Sequence, residues 1–244
     1  MIFDLERVGV VRSQDGQSGF RLAIESFQVE KGEHVAITGP SGCGKSTALD
    51  ILGMLLRPTY AERFVFSSGQ GRAHDIAAWW RAGALDRMSL LRLHAFGYVL
   101  QTGELLPYLT VMENVLLTAS VVRKNRADCV QAGEKLLASL DISHLRDKYP
   151  AEISIGERQR SAIARALAAE PEVVLADEPT ASLDPVRARI VMELLLDMVK
   201  EKGTTLVVVS HDLALVQSLG FRQAPVEIMQ DERGELWSVL GGRK

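Results

Sequence analysis

An α/β fold with a largely parallel sheet is what the sequence predicts, on three observations. Short runs rich in Val and Ile, namely His34–Thr38, Val173–Ala176 and Thr205–Val209, have the continuous apolar character of strands covered on both faces. Helical stretches alternate with these strands, as they must where crossover helices cover a parallel sheet. The 244 residues are 47% apolar, enough for one large domain or a core with a smaller lobe.

Taken in order, His34–Thr38 runs straight into a Gly-rich loop, and Ser46 to about Leu56 then reads as a helix that stops before Pro58. Residues 57–95 mix Gly, Ser and Arg with Trp79 and Trp80 and carry no clear period, so the paired tryptophans read as packing rather than a ligand platform. Further on, a helical stretch places Val130, Gly133, Leu137 and Leu140 on one face. Another opens at Asp184-Pro185, a capping residue with proline at the first helical position, and closes at Gly203.

Composition excludes several classes of function. Lys and Arg total 28 against 31 Asp and Glu, a net charge of −3, which argues against a dedicated nucleic-acid binder. Cys43 and Cys129 stand far apart without metal-ligand spacing, which fits a reducing cytoplasm better than a disulfide framework or a zinc site. Asp4 and Glu6 fall within an N-terminus that lacks a signal-type apolar core. Runs such as Ile51–Leu56 and Leu206–Val209 are too short to cross a bilayer, so a soluble protein is expected, with any membrane role supplied by a partner.

Two motifs carry chemistry. Gly39-Pro40-Ser41-Gly42-Cys43-Gly44-Lys45-Ser46-Thr47 matches the pattern G-x-x-x-x-G-K-[ST] between an expected strand and an expected helix. Its glycines allow a tight turn whose N–H groups face phosphate oxygens, and the helix N-terminus adds partial positive charge. Lys45 would reach the β and γ phosphates, and the Ser46 hydroxyl would ligate Mg²⁺. The second motif, Val173-Val174-Leu175-Ala176-Asp177-Glu178, ends a strand in two acids at the sheet edge where open α/β folds bind ligands. Asp177 suits the outer shell of Mg²⁺, and Glu178 suits orienting or deprotonating the water that attacks the γ-phosphate.

Three more segments narrow the family. Gln101 follows Phe96-Gly97-Tyr98-Val99-Leu100, Ser210-His211-Asp212 follows the strand Thr205–Val209, and Glu152–Asp184 reads EISIGERQRSAIARALAAEPEVVLADEPTASLD. With these motifs in this order, the chain resembles the nucleotide-binding subunit of an ABC transporter over nearly its whole length. The resemblance implies a P-loop ATPase core at about 1–100 and 166–244, with a mostly parallel sheet and a small antiparallel β part. It also implies a helical subdomain at about 103–165. Gln101 then resembles the glutamine that contacts Mg²⁺ and senses the membrane partner. Ser154 and Gly156 fall in the segment that closes over the γ-phosphate of the opposite subunit. Asp184 matches the aspartate that couples the two sites, and His211 matches the histidine that contacts the γ-phosphate. The implied ligands are ATP and Mg²⁺. The implied partners are an integral membrane subunit and a second ABC subunit, in a homodimer or a heterodimer, at the cytoplasmic face of the inner membrane. Thr102–Val115 and Ala176–Asp184 look most like the lipoprotein-releasing and macrolide-exporter group.

Two departures accompany the resemblance. The family's L-S-G-G-Q is here Ile153-Ser154-Ile155-Gly156-Glu157. Ile155 brings a β-branched side chain where the family has glycine. Glu157 would repel γ-phosphate unless a cation neutralises it, with Arg158 and Arg160 as candidates. This departure keeps alive a second reading, a regulatory ABC subunit that binds ATP and scarcely hydrolyses it. Near the N-terminus, the position where the family stacks an aromatic ring on adenine falls on Arg12, with Phe20 as the alternative.

Overall fold

The computed structural model describes residues 1–12, 19–69, 71–101, 103–122, 125–230 and 234–241. Its elements begin with β1 (Phe3–Val11), β2 (Arg21–Val29), β3 (His34–Thr38), α1 (Lys45–Leu52), β4 (Tyr60–Ser67) and β5 (Ala73–Asp75). Next come α2 (Ile76–Ala82), α3 (Leu85–Ala95), β6 (Phe96–Val99), α4 (Val111–Val122), α5 (Arg126–Ser139) and α6 (Ile155–Leu167). The chain closes with β7 (Val173–Asp177), α7 (Pro185–Lys202), β8 (Thr205–Ser210), α8 (Leu213–Ser218), β9 (Arg222–Gln230) and β10 (Leu236–Leu240). These form an α/β fold that divides into two compact units, 1–92 with 209–244, and 93–208.

In the first unit the strands run in the order β5-β4-β1-β2-β10-β9-β3. β1 pairs antiparallel with β2 and with β4, and β4 pairs antiparallel with β5, which together make the small antiparallel part. β3 lies parallel to β9, and it is fully buried from Val35 to Thr38. Antiparallel register sets Phe3 opposite Phe66, and their rings meet edge-on with centroids 5.3 Å apart. Leu5, Leu22, Ile24, Ile37 and Phe64 join them in the core. Asp4 is buried on the same strand and is held by Arg63 and by Gln28, whose Nε2 donates across 3.1 Å. A buried carboxylate needs such partners.

In the second unit β6 and β7 pair in parallel, from Phe96 opposite Val173 to Val99 opposite Ala176. β7 is buried except at its final acid, which carries the apolar run to the acid pair. β8 is buried along its length and spans the division of the chain. Helix α6 comes so near β6 that a Cβ on Gly97 would lie 2.3 Å from the Ala166 carbonyl, so only glycine fits there.

Two sequence expectations need correction, and one unassigned stretch gains its elements. Helix α1 ends at Leu52 rather than near Leu56, because Met54 turns into the left-handed region (φ 57°) and the amides of Leu55 and Leu56 fold back onto the Asp50 carbonyl. Gly133, Leu137 and Leu140 are buried on α5 and its C-cap as the sequence predicts, but Cys129 and Leu136 complete that face and Val130 is only half-buried, since the 3.6-residue period runs through 129, 133 and 136. The stretch 57–95, which shows no clear period in the sequence, carries β4, β5, α2 and α3 among its described residues. There Trp80 is buried and Trp79 lies 5.0 Å from the His74 ring, a packing role for both.

Candidate active site

The loop between β3 and α1 is shaped by glycines that no other residue could replace. At Gly39 (φ 149°) a Cβ would lie 2.8 Å from the Val226 carbonyl and 2.9 Å from Cys43 Sγ. At Gly44 (φ 95°) it would lie 2.6 Å from Cζ of Phe20. Both the dihedrals and the close neighbours demand glycine. Gly42 is a further positive-φ residue, and the Cys43 amide closes a turn onto the Pro40 carbonyl at 3.4 Å. Lys45 is buried and bends back over the loop, with Nζ donating to the carbonyls of Gly39 (3.0 Å) and Pro40 (2.9 Å). Ser46 is exposed and Thr47 half-buried on the first turn of α1.

That helix start is open to an anion. Its N-cap is Gly44, which offers no side-chain cap, and there is no acid in the first turn. The N-terminal N–H groups therefore keep their positive potential, and the glycine cradle with Lys45 fits a phosphate chain. Phe20, against Gly44, belongs to the same unit, and the Arg12 amide donates to the Phe20 carbonyl at 2.9 Å. Both candidates for the base contact thus stand at one end of the β1–β2 pair. His211 is exposed just beyond β8, where Asp212 caps α8 by accepting from the Leu215 amide at 2.9 Å.

The second unit carries the acid pair. Asp177 ends β7 and Glu178 follows it, both half-buried. Glu178 has φ 43°, a left-handed conformation that a non-glycine residue holds at a cost, and its carbonyl accepts from the Ala181 amide at 3.1 Å. Asp184 caps α7, accepting from the Arg187 amide at 3.1 Å. Gln101 is exposed in the turn after β6, where the Gly103 amide reaches the Leu100 carbonyl at 2.9 Å; Thr102 lies outside the described residues.

The altered signature segment is built as a capping box. Ser154 is the N-cap of α6 and accepts from the Glu157 amide at 3.4 Å, while the Glu157 carboxylate accepts from the Ser154 amide at 2.8 Å. Hydrogen bonding to Ser154 holds the Glu157 carboxyl below its ordinary value, with further help from Arg160 and His144. His144 Nε2 stands 3.8 Å from Glu157. The sequence expectation that arginines neutralise Glu157 needs amending: the acid is turned back onto its own helix, and Arg160 acts only at range. Ile155 is exposed at 51%, and Gly156 lies close to Leu183 of the segment leading to Asp184.

The first unit thus gathers Gly39–Thr47 and His211, and the second gathers Gln101, Ser154, Gly156, Asp177, Glu178 and Asp184. Sequence reasoning missed the capping box, although Ser154-x-x-Glu157 is its signature. It also missed Gln159, whose side chain reaches the Leu100 carbonyl before Gln101, and Arg165, whose side chain reaches the loop after it. Among the described residues no helix is long and apolar enough to cross a membrane.

Comparison with known proteins gives a consistent answer. Residues 22–181 match the family model described as ABC transporter. The lipoprotein-releasing system ATP-binding protein LolD of Saccharophagus degradans is 39% identical over 194 residues, 80% of this chain and 81% of that protein. Among solved structures, the dimeric bacterial ABC transporter cassette MJ0796 aligns with a TM-score of 0.76 at 29% identity, covering 92% of this chain and 94% of that one. The same cassette in a dimeric post-hydrolysis state bound to ADP and Pi gives 0.75 at the same identity and coverage.

Proposed function

We propose a mechanism that starts from one premise: this chain belongs to the ABC transporter family, as an ATP-binding subunit. It binds ATP and hydrolyses it as other cassettes of the family do. In our reading the loop Gly39–Gly44 and the open N-terminus of α1 cradle the phosphates, and Lys45 leaves the Gly39 and Pro40 carbonyls to face the β and γ oxygens. Glu178 holds the attacking water and takes its proton as the oxygen bonds to the γ-phosphorus, and the bond to the bridging oxygen of ADP breaks. His211 steadies the γ-phosphate. Ser46, Gln101 and Asp177 are oxygen donors of the kind a hard cation prefers; they would hold Mg²⁺, which when bound draws charge from the phosphate oxygens.

ATP also draws two cassettes together. Ser154 and Gly156 face the γ-phosphate of a second ABC subunit, and Asp184 links the two sites, so hydrolysis reopens the pair and transmits work. An integral membrane subunit at the inner membrane receives that work at the segment Gln101–Val115, where Tyr108 stands 71% exposed. The likeness to LolD favours a complex of the lipoprotein-releasing type. In this reading the core lies at about 1–100 and 166–244, with the helical subdomain at about 103–165.

The observation that carries the reading is the glycine-built loop with Lys45 folded over an uncapped helix start. Lys45→Ala should weaken ATP binding roughly 100-fold, measured by calorimetry, because it removes the charge facing two phosphates. Affinity within a few-fold of wild type would refute the assignment. The reading as a regulatory subunit with little hydrolysis is favoured by Ile155 alone, and turnover by the wild-type chain decides between the two.

A further inference from the structure

Helix α6 is fastened to the loop after Gln101 by more than apolar packing. The Arg165 guanidinium forks onto two successive carbonyls, with Nη2 donating to Gly103 at 2.9 Å and Nη1 to Glu104 at 2.8 Å. Gln159, 1% exposed on the same helix, reaches the Leu100 carbonyl with Nε2 at 3.5 Å. The side-chain bonds thus bracket Gln101 on both sides. The clamped backbone is itself under tension: Glu104 is a non-glycine residue at φ 37°, next to Gly103 at φ 73°. A Cβ on Gly103 would lie 3.4 Å from the Arg158 carbonyl, so loop and helix touch through their main chains. Burial pushes the Arg165 guanidinium below its ordinary value and Glu104 opposes this, the pattern of a cation withdrawn from water for the sake of its partners. A lysine here would bring one ammonium on a different stem in place of two donors held in a fixed plane, so it would not reproduce the paired contact.

We propose that Arg165 is a positioning residue that locks the loop bearing Gln101 to the helix bearing Ser154, so that a shift at the one is imposed on the other. The inference rests on the reading that Gln101 meets the metal of the bound nucleotide. Arg165 touches neither nucleotide nor metal; it acts by fixing the carbonyls of Gly103 and Glu104, just after the glutamine. Cutting the fork frees Gln101 to wander, which lowers the population that can meet the ion.

The test is the Mg²⁺ dependence of phosphate release by the full chain at saturating ATP, alongside ATP affinity measured without Mg²⁺. Arg165→Ala should raise the Mg²⁺ concentration for half-activity by about tenfold and leave metal-free affinity within about twofold, since two hydrogen bonds to the loop are lost. Arg165→Lys reaches one carbonyl, so its shift should fall between, and it carries the test if the alanine variant does not fold. Gln101→Ala should raise the same midpoint, and the double variant should be no worse than the worse single one, because both remove one interaction. Multiplying effects in the double variant would overturn the role of Arg165, as would an unchanged midpoint in Arg165→Ala. An unchanged midpoint in Gln101→Ala would overturn the reading of Gln101, and this inference with it.

Discussion

The N-termini of α1 and α6 start from the same physics and end in opposite states. Each exposes backbone N–H groups and a partial positive charge. At α1 the cap is Gly44, without a side chain, and no acid stands in the first turn. At α6 Ser154 and Glu157 cap the helix reciprocally, and Glu157 places a negative charge where the dipole is most positive. At the first terminus neither a cap side chain nor a first-turn acid draws on that charge; the second has spent part of it on its own helix. In the proposed reading tight nucleotide binding therefore resides at α1, whereas the contribution of α6 depends on what approaches it. Exposed Ile155 adds bulk to that second terminus.

The contrast can be broken or sharpened by substitution. The largest effect belongs to α1, where the Lys45→Ala variant loses most of its ATP affinity. At α6 the effects are smaller and fall on turnover. Ile155→Gly should raise ATP hydrolysis by the isolated chain about three- to tenfold, by removing bulk and freeing the backbone, with metal-free affinity unchanged. An unchanged or lower rate, read as phosphate release at saturating Mg-ATP, would mean that Ile155 is not what limits turnover.

The smallest effect concerns the cap itself. Because hydrogen bonds from Ser154 depress the Glu157 pKa, the stability it confers is complete above the ordinary value of 4.5 and is lost as pH falls through the depressed one. Wild type should melt about 2–4 °C above Glu157→Ala near neutrality, and the gap should close only as pH falls through the depressed value. A gap that persists in acid would show that packing, not the charged cap, makes the difference.

How much was legible in the sequence varied with the range of the interactions. The strands at 34–38, 173–177 and 205–210 were readable because buried parallel strands are continuous apolar runs. The Gly-built loop after β3 and the acid pair at the end of β7 were readable as structure because each is a local pattern joined to its own strand. β4 was not, since its burial depends on pairing with β1 some 60 residues earlier, as Phe3 opposite Phe66 illustrates. Arg165 was not readable either: its partners are main-chain carbonyls 61 and 62 residues away, and carbonyls leave no mark on the sequence. The turn at Met54 shows a third limit, because nothing in its side chain announces a left-handed backbone.

The central claim is that this chain hydrolyses ATP with Glu178 and that ATP, not ADP, joins two cassettes. It is tested most directly with Glu178→Gln, by following phosphate release and the mass of the particle in solution with Mg-ATP. The account predicts that turnover falls by roughly 10²–10⁴-fold while ATP binding is kept, and that a dimer accumulates with ATP and not with ADP. Wild-type turnover in this variant, or a monomer at saturating ATP, would contradict it.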